Sequence, residues 1–250
     1  MMYHIGLDAS VGAKYVLLPG DPDRVEKIAA YLDNPRFLAK SREYTSWLGY
    51  IGDEPVLVMS TGMGGPSTAI AVEELVQVGV HTAIRVGSTG GINLAVKGGD
   101  IVIANAAIRT EGTSKEYLPI EYPAVADFEV THALLTAAKQ SEADYHLGVV
   151  QSKDSFYGQH DPERMPVSAQ LLENWEAWKK AGVLASEMEC AALYTTATVC
   201  NMRAGAVLHV LWNQERKAEG LDDTDVFDME NTIKTAIKAI EILIETDKEK

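Results

Sequence analysis

Cysteine is scarce in this sequence, and long apolar runs are absent. The two cysteines among 250 residues, Cys190 and Cys200, fall in one segment with a helical pattern. Ten residues of helix separate two side chains by roughly 15 Å, which is too far for a disulfide. No apolar run approaches the roughly 20 residues that span a bilayer. The start of the chain has no basic segment followed by an apolar one, so we expect no signal peptide and a cytoplasmic protein.

Basic residues are also few compared with acidic ones. The chain carries 22 Lys and Arg residues against 36 Asp and Glu residues, a formal net charge of −14. A protein this acidic is a poor partner for nucleic acids and for anionic membranes. A site for an anionic small molecule would therefore need basic side chains gathered locally. Zinc is not expected, because no set of Cys and His residues has ligand spacing.

Six short apolar runs recur along the chain, and helical patterns separate most of them. The runs cover residues 15–18, 55–60, 83–86, 100–108, 146–151 and 205–212. They are nearly continuous rather than alternating, which is typical of strands covered on both faces. The helical patterns cover residues 22–32, 66–78, 128–140, 169–180, 184–201 and 231–245. This order predicts one α/β domain over residues 1–250, with a central, mostly parallel mixed sheet flanked by helices.

The stretch 83–91 is the first candidate for a binding element. Its apolar run carries Arg85 and then breaks into Gly-Ser-Thr-Gly-Gly. Arginine is always charged and rarely occupies a buried strand without an anionic partner. The glycines and hydroxyls that follow offer free backbone N–H groups and close approach to a ligand. The pattern predicts an oxyanion site at the carboxyl end of a strand, where α/β sheets bind ligands. The alternative is an ion-paired structural arginine before an ordinary loop.

Two further glycine-containing turns follow apolar runs. The first is Gly20-Asp21-Pro22-Asp23-Arg24, a glycine turn leading into a helix start, where backbone donors can hold an oxyanion. The second, Ser-Thr-Gly-Met-Gly-Gly-Pro-Ser at 60–67, partly matches a dinucleotide-binding pattern. Pro66 stands at its last glycine position, and no acidic residue closes a second strand. A nicotinamide-dependent enzyme is therefore a less favoured interpretation.

Taken together, these three turns resemble the hexameric nucleoside phosphorylase family. Ser-Glu-Met-Glu at 186–189 resembles the ribose-binding motif of that family, and the similarity runs in order along nearly the whole chain. Two stretches, 121–128 and 154–159, resemble its uridine phosphorylase branch. The resemblance implies a three-layer α/β/α fold and a pentosyltransferase that cleaves uridine with inorganic phosphate to uracil and ribose 1-phosphate. It also implies phosphate as co-substrate without a required cofactor, and a homohexamer built as a trimer of dimers.

The resemblance implies a binding role for individual residues of this sequence. Phosphate would be held by Gly20, Arg24, Arg42, Arg85 and Ser88, with Arg42 supplied by the neighbouring subunit. The ribose would be held by His4, Glu187, Met188 and Glu189, with His4 also crossing the subunit boundary. The base would meet Thr89, Gly90, Phe156, Gln159 and either His160 or Lys153. Arg24, Arg85 and Glu189 would be the catalytic residues, and a monovalent cation such as K⁺ would bind at the dimer interface through Glu43, Met63 and Ser67.

Two acidic residues compete for the ribose. A carboxylate accepts hydrogen bonds from both the 2′- and 3′-hydroxyls of a sugar. Glu187 and Glu189 are two residues apart, so on a helix their side chains point roughly 200° apart. If helix geometry already holds there, both cannot face one sugar. We therefore expect Glu189 to be the ribose ligand and Glu187 to support it.

The base-binding motif departs from the best-known pattern of the branch. An arginine is usual two places beyond Gln159, and Asp161 stands there. The side chains that could instead place positive charge near a uracil carbonyl are His160 and Lys153. Gln214 is a second departure, at a position where the branch often has arginine. The residues that read the base are thus left open between two candidates.

One position separates pyrimidine from purine chemistry. Purine-cleaving members of the superfamily carry an aspartate after the last core strand, where it protonates the base. The corresponding residue here is Asn213, and asparagine cannot act as a general acid. The sequence therefore favours pyrimidine nucleosides. A purine nucleoside phosphorylase or nucleosidase is the alternative enzyme, and a non-catalytic nucleoside-binding protein is the alternative of another class.

Overall fold

The polypeptide forms ten strands and nine α-helices. The computed structural model describes residues 1–250. Strands β1 to β10 cover Tyr15–Leu18, Asp33–Ser41, Tyr44–Ile51, Glu54–Met59, Thr82–Gly91, Ile101–Arg109, Ala124–Val125, Tyr145–Ser152, Ala185–Glu187 and Arg203–Asn213. Helices α1 to α9 cover Val25–Ala29, Gly65–Gln77, Thr113–Tyr117, Phe128–Ala138, Phe156–His160, Ser168–Lys180, Cys190–Val199, Gln214–Ala218 and Glu230–Lys248. None of these helices is long and apolar enough to cross a membrane.

Strand β5 is the centre of a single mixed sheet. β1 and β10 run parallel to it on either side, and its last two residues pair with β9. From β1 the sheet continues through β4 and β3 to β2. From β10 it passes through β6 and β8 back to β9. Five strands therefore close into a ring, and β1, β5, β8, β9 and β10 bring their carboxyl ends to one place.

Helices cover both faces of the sheet, which confirms the predicted α/β fold. On one face α2 and α7 contribute to a buried apolar cluster that includes Leu75 and Leu193. On the other face α1, α4 and α9 contribute to a second cluster that includes Ile28, Leu134 and Ile240. All six predicted strands are present, and most of their mutual pairings are parallel. Most antiparallel pairings involve β2, β3, β7 or β9, which the sequence did not predict.

The hairpin formed by β2 and β3 escaped prediction because its pattern is weak. β2 is an exposed edge strand whose residues are mostly polar, and it contains Pro35, which only an edge strand tolerates. The turn between the strands consists of Arg42 and Glu43. Arg42 has a φ of 54°, a left-handed conformation that is unfavourable for residues other than glycine. Strained residues of this kind cluster at functional sites.

Two predicted helices differ from the structure. The pattern at 184–201 begins as strand β9, and α7 starts only at Cys190, so the Ser-Glu-Met-Glu motif is not helical. The pattern at 22–32 becomes a 3-10 turn at Pro22–Arg24 followed by the short helix α1. The prediction that the cysteines form no disulfide is confirmed, since both thiols are free.

Candidate active site

A cavity of about 550 Å³ opens where the carboxyl ends of β1, β5, β8, β9 and β10 meet. Most of the predicted site residues line it: Gly20, Arg24, Glu43, Met63, Arg85, Ser88, Thr89, Gly90, Lys153, Phe156, Gln159, His160, Glu187, Met188 and Glu189. The chain does not bring His4, Arg42 or Ser67 into its own cavity. Elements that are far apart in sequence therefore converge on one site.

Arg85 lies at the centre of this site between two carboxylates. Its Nε is 3.1 Å from Oε2 of Glu187, and its NH2 group pairs with Glu189. All three side chains are almost fully buried. The NH1 group forms no hydrogen bond within the chain and lies 3.9 Å from the point that a Cβ on Gly20 would occupy. One donor of the guanidinium is thus left facing the glycine turn after β1.

The stretch after Arg85 continues as a strand, where the sequence predicts a glycine-containing turn. β5 continues as a strand to Gly91, and its pairing with β10 extends over this whole length. Small residues permit this continuation, because a Cβ at Gly87 would lie 2.8 Å from Cζ of Arg85. On the other side, β1 pairs only as far as Arg85, and β9 begins at Gly90. Residues 86–89 therefore form an open strand edge beside the cavity.

The glycine turn after β1 brings a second arginine to the same end of the cavity. The side chain of Asp21 accepts from the N–H of Asp23 and caps the 3-10 turn that carries Arg24. The guanidinium of Arg24 lies 3.4 Å from Oγ of Ser88 and 3.7 Å from a carboxylate oxygen of Asp21. Burial lowers the pKa of Arg24, although arginine stays charged in proteins. Arg24, Arg85 and Ser88 thus form a cationic, donor-rich end.

Glu187 and Glu189, the two glutamates of the Ser-Glu-Met-Glu motif, have different hydrogen-bond partners. Both oxygens of Glu187 are occupied, by Arg85, by the hydroxyl of Ser152, and by the backbone N–H groups of Glu189 and Cys190. Glu189 accepts from the N–H of Gly64 at 2.6 Å and pairs with Arg85. Burial raises the pKa of the Glu189 carboxyl, while Arg85 opposes this shift. The condition of helix geometry at this motif is not met, because neither residue is in a helix, and both carboxylates contact Arg85.

A polar cluster in the cavity wall centres on Ser186, a residue that sequence reasoning missed. Nζ of Lys153 donates to Oγ of Ser186 at 2.8 Å. The same hydroxyl lies 2.7 Å from Oε1 of Gln159 and 2.5 Å from Oε1 of Gln151. The amide nitrogen of Gln159 is 3.4 Å from Oε1 of Gln214. The position of Ser186 directly before Glu187 was the signal that could have revealed it.

Aromatic rings form one wall beside the polar cluster. The centroid of the Phe156 ring lies 4.3 Å from that of His160, which in turn is 6.4 Å from the Trp212 ring. Burial and the neighbouring charge of Lys153 lower the pKa of His160 and so favour its neutral form. Burial lowers the pKa of Lys153 to about 8, against the attraction of Glu187 and Glu189. This end of the cavity combines flat apolar faces with donors and acceptors.

His4 and Arg42 lie together on the surface rather than in the cavity. Cζ of Arg42 is 5.6 Å from the centroid of the exposed Tyr3 ring, whose edge packs against His4 at 4.7 Å. Nδ1 of His4 is 2.6 Å from Oε1 of Glu74. Glu43, the residue after Arg42, lines the cavity. The cluster of Tyr3, His4 and Arg42 therefore borders the cavity without entering it.

The residues expected to bind a monovalent cation lie near the same border. Cγ of Glu43 is only 2.8 Å from the point that a Cβ on Gly62 would occupy. Oγ of Ser67 is 3.4 Å from the carbonyl oxygen of Met63 and 3.3 Å from that of Gly64. The chain contains no cluster of three or more His, Cys, Asp or Glu side chains that could hold a metal ion. These three residues offer too few ligands for a complete site in one chain.

Asn213 serves the fold rather than the cavity. Its side-chain nitrogen donates to the carbonyl oxygens of Asn93 and Val96 at 2.8 Å each. Its side-chain oxygen accepts from the N–H groups of Glu215 and Arg216 and caps α8. All hydrogen-bonding capacity of this side chain is used, and it is fully buried. Asn213, which stands where the resemblance implies an acid in purine-cleaving enzymes, thus has a structural role here.

Comparison with known proteins agrees with this geometry. Residues 14–246 match the phosphorylase superfamily, and the chain belongs to that superfamily. It is 54% identical to the uridine phosphorylase of Treponema pallidum (strain Nichols), over 98% of this chain and 95% of that protein. It is 45% identical to the uridine phosphorylase of Thermococcus kodakarensis, over 100% of this chain and 89% of that protein. A guanosine phosphorylase of Halorubrum lacusprofundi is 39% identical, over 78% of this chain and 76% of that protein.

Proposed function

We propose that this protein is a uridine phosphorylase, which converts uridine and inorganic phosphate to uracil and ribose 1-phosphate. The observation that carries this function is the combination of groups that line one cavity: two arginines, the carboxylate of Glu189, and an amide with aromatic rings. Arg24 contacts Ser88 and Arg85 contacts Glu189, whereas Gln159 contacts Ser186 and the ring of Phe156 packs against that of His160. Phosphate, ribose and a pyrimidine need these three kinds of group. The high identity to curated uridine phosphorylases over almost the full chain supports the same function.

The chemistry requires no nucleophile from the protein. As the bond between C1′ of the ribose and N1 of the base breaks, positive charge develops on the sugar and the electron pair leaves with the base. A phosphate oxygen then forms the new bond to C1′. Arg24, NH1 of Arg85 and Ser88 would hold this phosphate, and Gly20 would leave room for it. Positioning of two reactants and electrostatic stabilisation carry most of the rate enhancement in such a mechanism.

The sugar and the base are held by the remaining groups. Glu189 would accept from the 2′- and 3′-hydroxyls, with the backbone of Met188 beside the ribose. Thr89 and Gly90 line the cavity and would meet the base. The ring of Phe156 would stack on the pyrimidine, and the amide of Gln159 would pair with its edge, accepting from N3–H and donating to a carbonyl oxygen. Glu187 would keep Arg85 and the start of α7 in place.

Our proposal extends to a shared site between subunits. His4 and Arg42 border the cavity of their own chain, and a two-fold partner would bring the same pair to it from outside. Arg42 would then contact phosphate and His4 the ribose 5′-hydroxyl. The assembly would be a trimer of such dimers. K⁺ would bind at the dimer interface, where Glu43, Met63 and Ser67 would supply oxygen ligands. We place the enzyme in the cytoplasm, where its two free thiols stay reduced.

Incubation of the purified protein with uridine tests this function. Uridine with phosphate should give uracil and ribose 1-phosphate, separated by chromatography, and uridine without phosphate should remain intact. Phosphate-independent cleavage would indicate a nucleosidase instead. The same assay is run with inosine and with guanosine in place of uridine, because one relative is a guanosine phosphorylase. The engagement of Asn213 in backbone contacts favours uridine, and a preference for inosine or guanosine would overturn the proposal.

A further inference from the structure

Asp21 places a carboxylate beside the arginines at which phosphate would bind. The residue lines the cavity together with Gly20 and Arg24. Oδ2 of Asp21 lies 3.7 Å from Nε of Arg24. A carboxylate in this position repels an anion unless a proton lies between the two groups. The two arginines alone therefore do not explain how this part of the cavity would recognise its anion.

The fold uses only one oxygen of this carboxylate. Oδ1 accepts from the backbone N–H of Asp23 at 2.9 Å and caps the 3-10 turn Pro22–Arg24. Oδ2 accepts no hydrogen bond within the chain, and its distance of 3.7 Å from Nε of Arg24 is longer than a hydrogen bond. The side chain of Asp21 is 47% exposed, so a ligand can reach Oδ2. The cap thus orients the carboxylate and leaves one free acceptor beside Arg24.

The other charges around this acceptor are nearly balanced. Arg85 already pairs with Glu187 and Glu189, and Arg24 faces Asp21. Two cations therefore stand beside three carboxylates of the same chain. A dianion gains little net attraction from such a set. Its recognition must depend on individual hydrogen bonds.

Oxyanions of similar size differ in the donor that they can offer to Oδ2 of Asp21. At neutral pH inorganic phosphate carries a proton on at least one oxygen, and arsenate does the same, whereas sulfate carries none. A P–O–H group can donate to a carboxylate in a strong, charge-assisted hydrogen bond. An unprotonated oxygen at the same place leaves two acceptors facing each other without a proton, which is unfavourable.

We propose that Oδ2 of Asp21 accepts a hydrogen bond from the P–O–H group of phosphate and thereby selects phosphate over sulfate. This inference rests on the proposed uridine phosphorylase activity. The proton stays on the phosphate, so no proton is transferred to Asp21. Arg24, NH1 of Arg85 and Ser88 would bind the unprotonated oxygens, one of which forms the bond to C1′. Asp21 is thus a residue that determines specificity for the co-substrate.

Sulfate inhibition of Asp21→Asn tests this role. The amide oxygen of asparagine can keep the cap on Asp23, and its NH2 group then replaces Oδ2 with a donor. Cleavage of uridine is measured with phosphate and with arsenate, and sulfate is added as a competitive inhibitor. In the wild-type protein we expect Ki for sulfate to exceed KM for phosphate by at least about tenfold. Asp21→Asn should raise KM for phosphate and for arsenate by about tenfold and lower Ki for sulfate by about tenfold.

Asp23→Asn is the matched control. Asp23 is an exposed acid on the same turn but does not line the cavity, so this variant should match the wild type with all three anions. If Asp21 only repels anions, Asp21→Asn will improve the binding of all three alike. If Asp21 only caps the turn, the ratio of Ki for sulfate to KM for phosphate will not change. Either result would overturn the inference.

Calorimetric titration of phosphate and sulfate into the protein without uridine separates this inference from the proposed function. A preference for phosphate that is lost in Asp21→Asn would support the role of Asp21 even if uridine is not cleaved. Phosphorolysis of uridine by a wild-type protein that binds both anions equally would leave the function standing and overturn the role of Asp21. If Asp21→Asn fails to fold, Asp21→Ser, which also supplies a capping oxygen without a charge, is measured in the same way.

Discussion

The backbone N–H of Gly64 donates to Oε1 of Glu189 at 2.6 Å, across 125 residues of sequence. This contact joins the loop before α2 to the residue that precedes α7. The other oxygen of Glu189 pairs with Arg85. The carboxylate is therefore held in one orientation before any substrate binds, and preorganised charge of this kind is effective in catalysis.

Replacement of this carboxylate should affect turnover more than stability. In Glu189→Gln, the amide oxygen can still accept from Gly64, but the ribose loses a charged acceptor and Arg85 loses a counter-ion. We expect kcat/KM for uridine to fall by about 100-fold or more, and the free energy of unfolding to fall by about 1–3 kcal/mol. Steady-state kinetics and urea unfolding measure the two effects. Glu176→Gln changes an exposed glutamate and serves as the control. Wild-type turnover in Glu189→Gln would contradict the role of this residue.

A methyl group at position 87 should displace the central arginine. A Cβ there would lie 2.8 Å from Cζ of Arg85 and 2.8 Å from Cδ2 of Leu208, so the guanidinium must move. Gly87→Ala should therefore raise KM for phosphate by roughly tenfold and destabilise the protein by about 1–3 kcal/mol. Gly112→Ala is a matched control, because a Cβ there makes only an ordinary 3.6 Å contact with Asp154. An unchanged KM for phosphate in Gly87→Ala would show that Arg85 does not contact it.

The sequence predicted the layers of the fold because buried strands and amphipathic helices have strong periodic patterns. It missed β2 because this edge strand is mostly polar, and it missed β3 because a short-range pattern does not reveal the pairing of β3 with β2 and β4. It also extended a helical pattern through Glu187 and Glu189. The preference of this segment for a strand comes from pairing with β5 and β8, which are distant in sequence.

Most of the cavity-lining residues could be predicted from short motifs. The contacts between these residues could not. The motifs indicated Arg85 as an anion-binding residue, and the structure shows two carboxylates already bound to it. The polar cluster around Ser186 joins three segments, so no local pattern contains it. Long-range contacts of this kind appear only after the sheet brings the ends of several strands together.

A cluster near the carboxyl terminus should make stability depend on acid pH. Arg203 donates to Asp247 at 2.9 Å, and the hydroxyl of Tyr15 donates to it at 2.7 Å. The contact with Arg203 lowers the pKa of Asp247 to about 2. Because this pKa is lower in the folded chain than in the unfolded chain, the stabilisation is complete above about pH 4 and is lost as the pH falls through 2.

Substitution of Asp247 should therefore be costly near neutrality and harmless in acid. We expect Asp247→Asn to lower the free energy of unfolding by about 2 kcal/mol at pH 6, with the difference from wild type disappearing towards pH 2. Urea unfolding at a series of pH values measures this. Asp53→Asn, on an exposed turn, serves as the control variant. A constant difference across the series would assign the effect of Asp247→Asn to packing rather than to charge.

Glu74 should control the orientation of His4. Its carboxylate accepts from the N–H groups of His4 and Ile5 and contacts Nδ1 of His4 at 2.6 Å. With the Nδ1 proton of a neutral imidazole directed at Glu74, Nε2 is the acceptor of the ring. Glu74→Gln should raise KM for uridine several-fold and speed hydrogen exchange at residues 4 and 5. If His4→Ala leaves KM for uridine unchanged, His4 does not reach a ribose.

Mixed assemblies can test whether Arg42 acts on a neighbouring subunit. Arg42 and Glu43 form one turn, yet only Glu43 lines the cavity of its own chain. If Arg42 completes the partner's cavity, each site takes Glu189 from one subunit and Arg42 from the other. Arg42→Met and Glu189→Gln then remove the contributions of different subunits to one site. A mixed dimer of the two variants then has one site with both defects and one site with neither. Random mixing of the two inactive proteins after dissociation should restore about a quarter of the wild-type activity. Activity that stays at the level of the separate variants would place Arg42 outside the site of its neighbour.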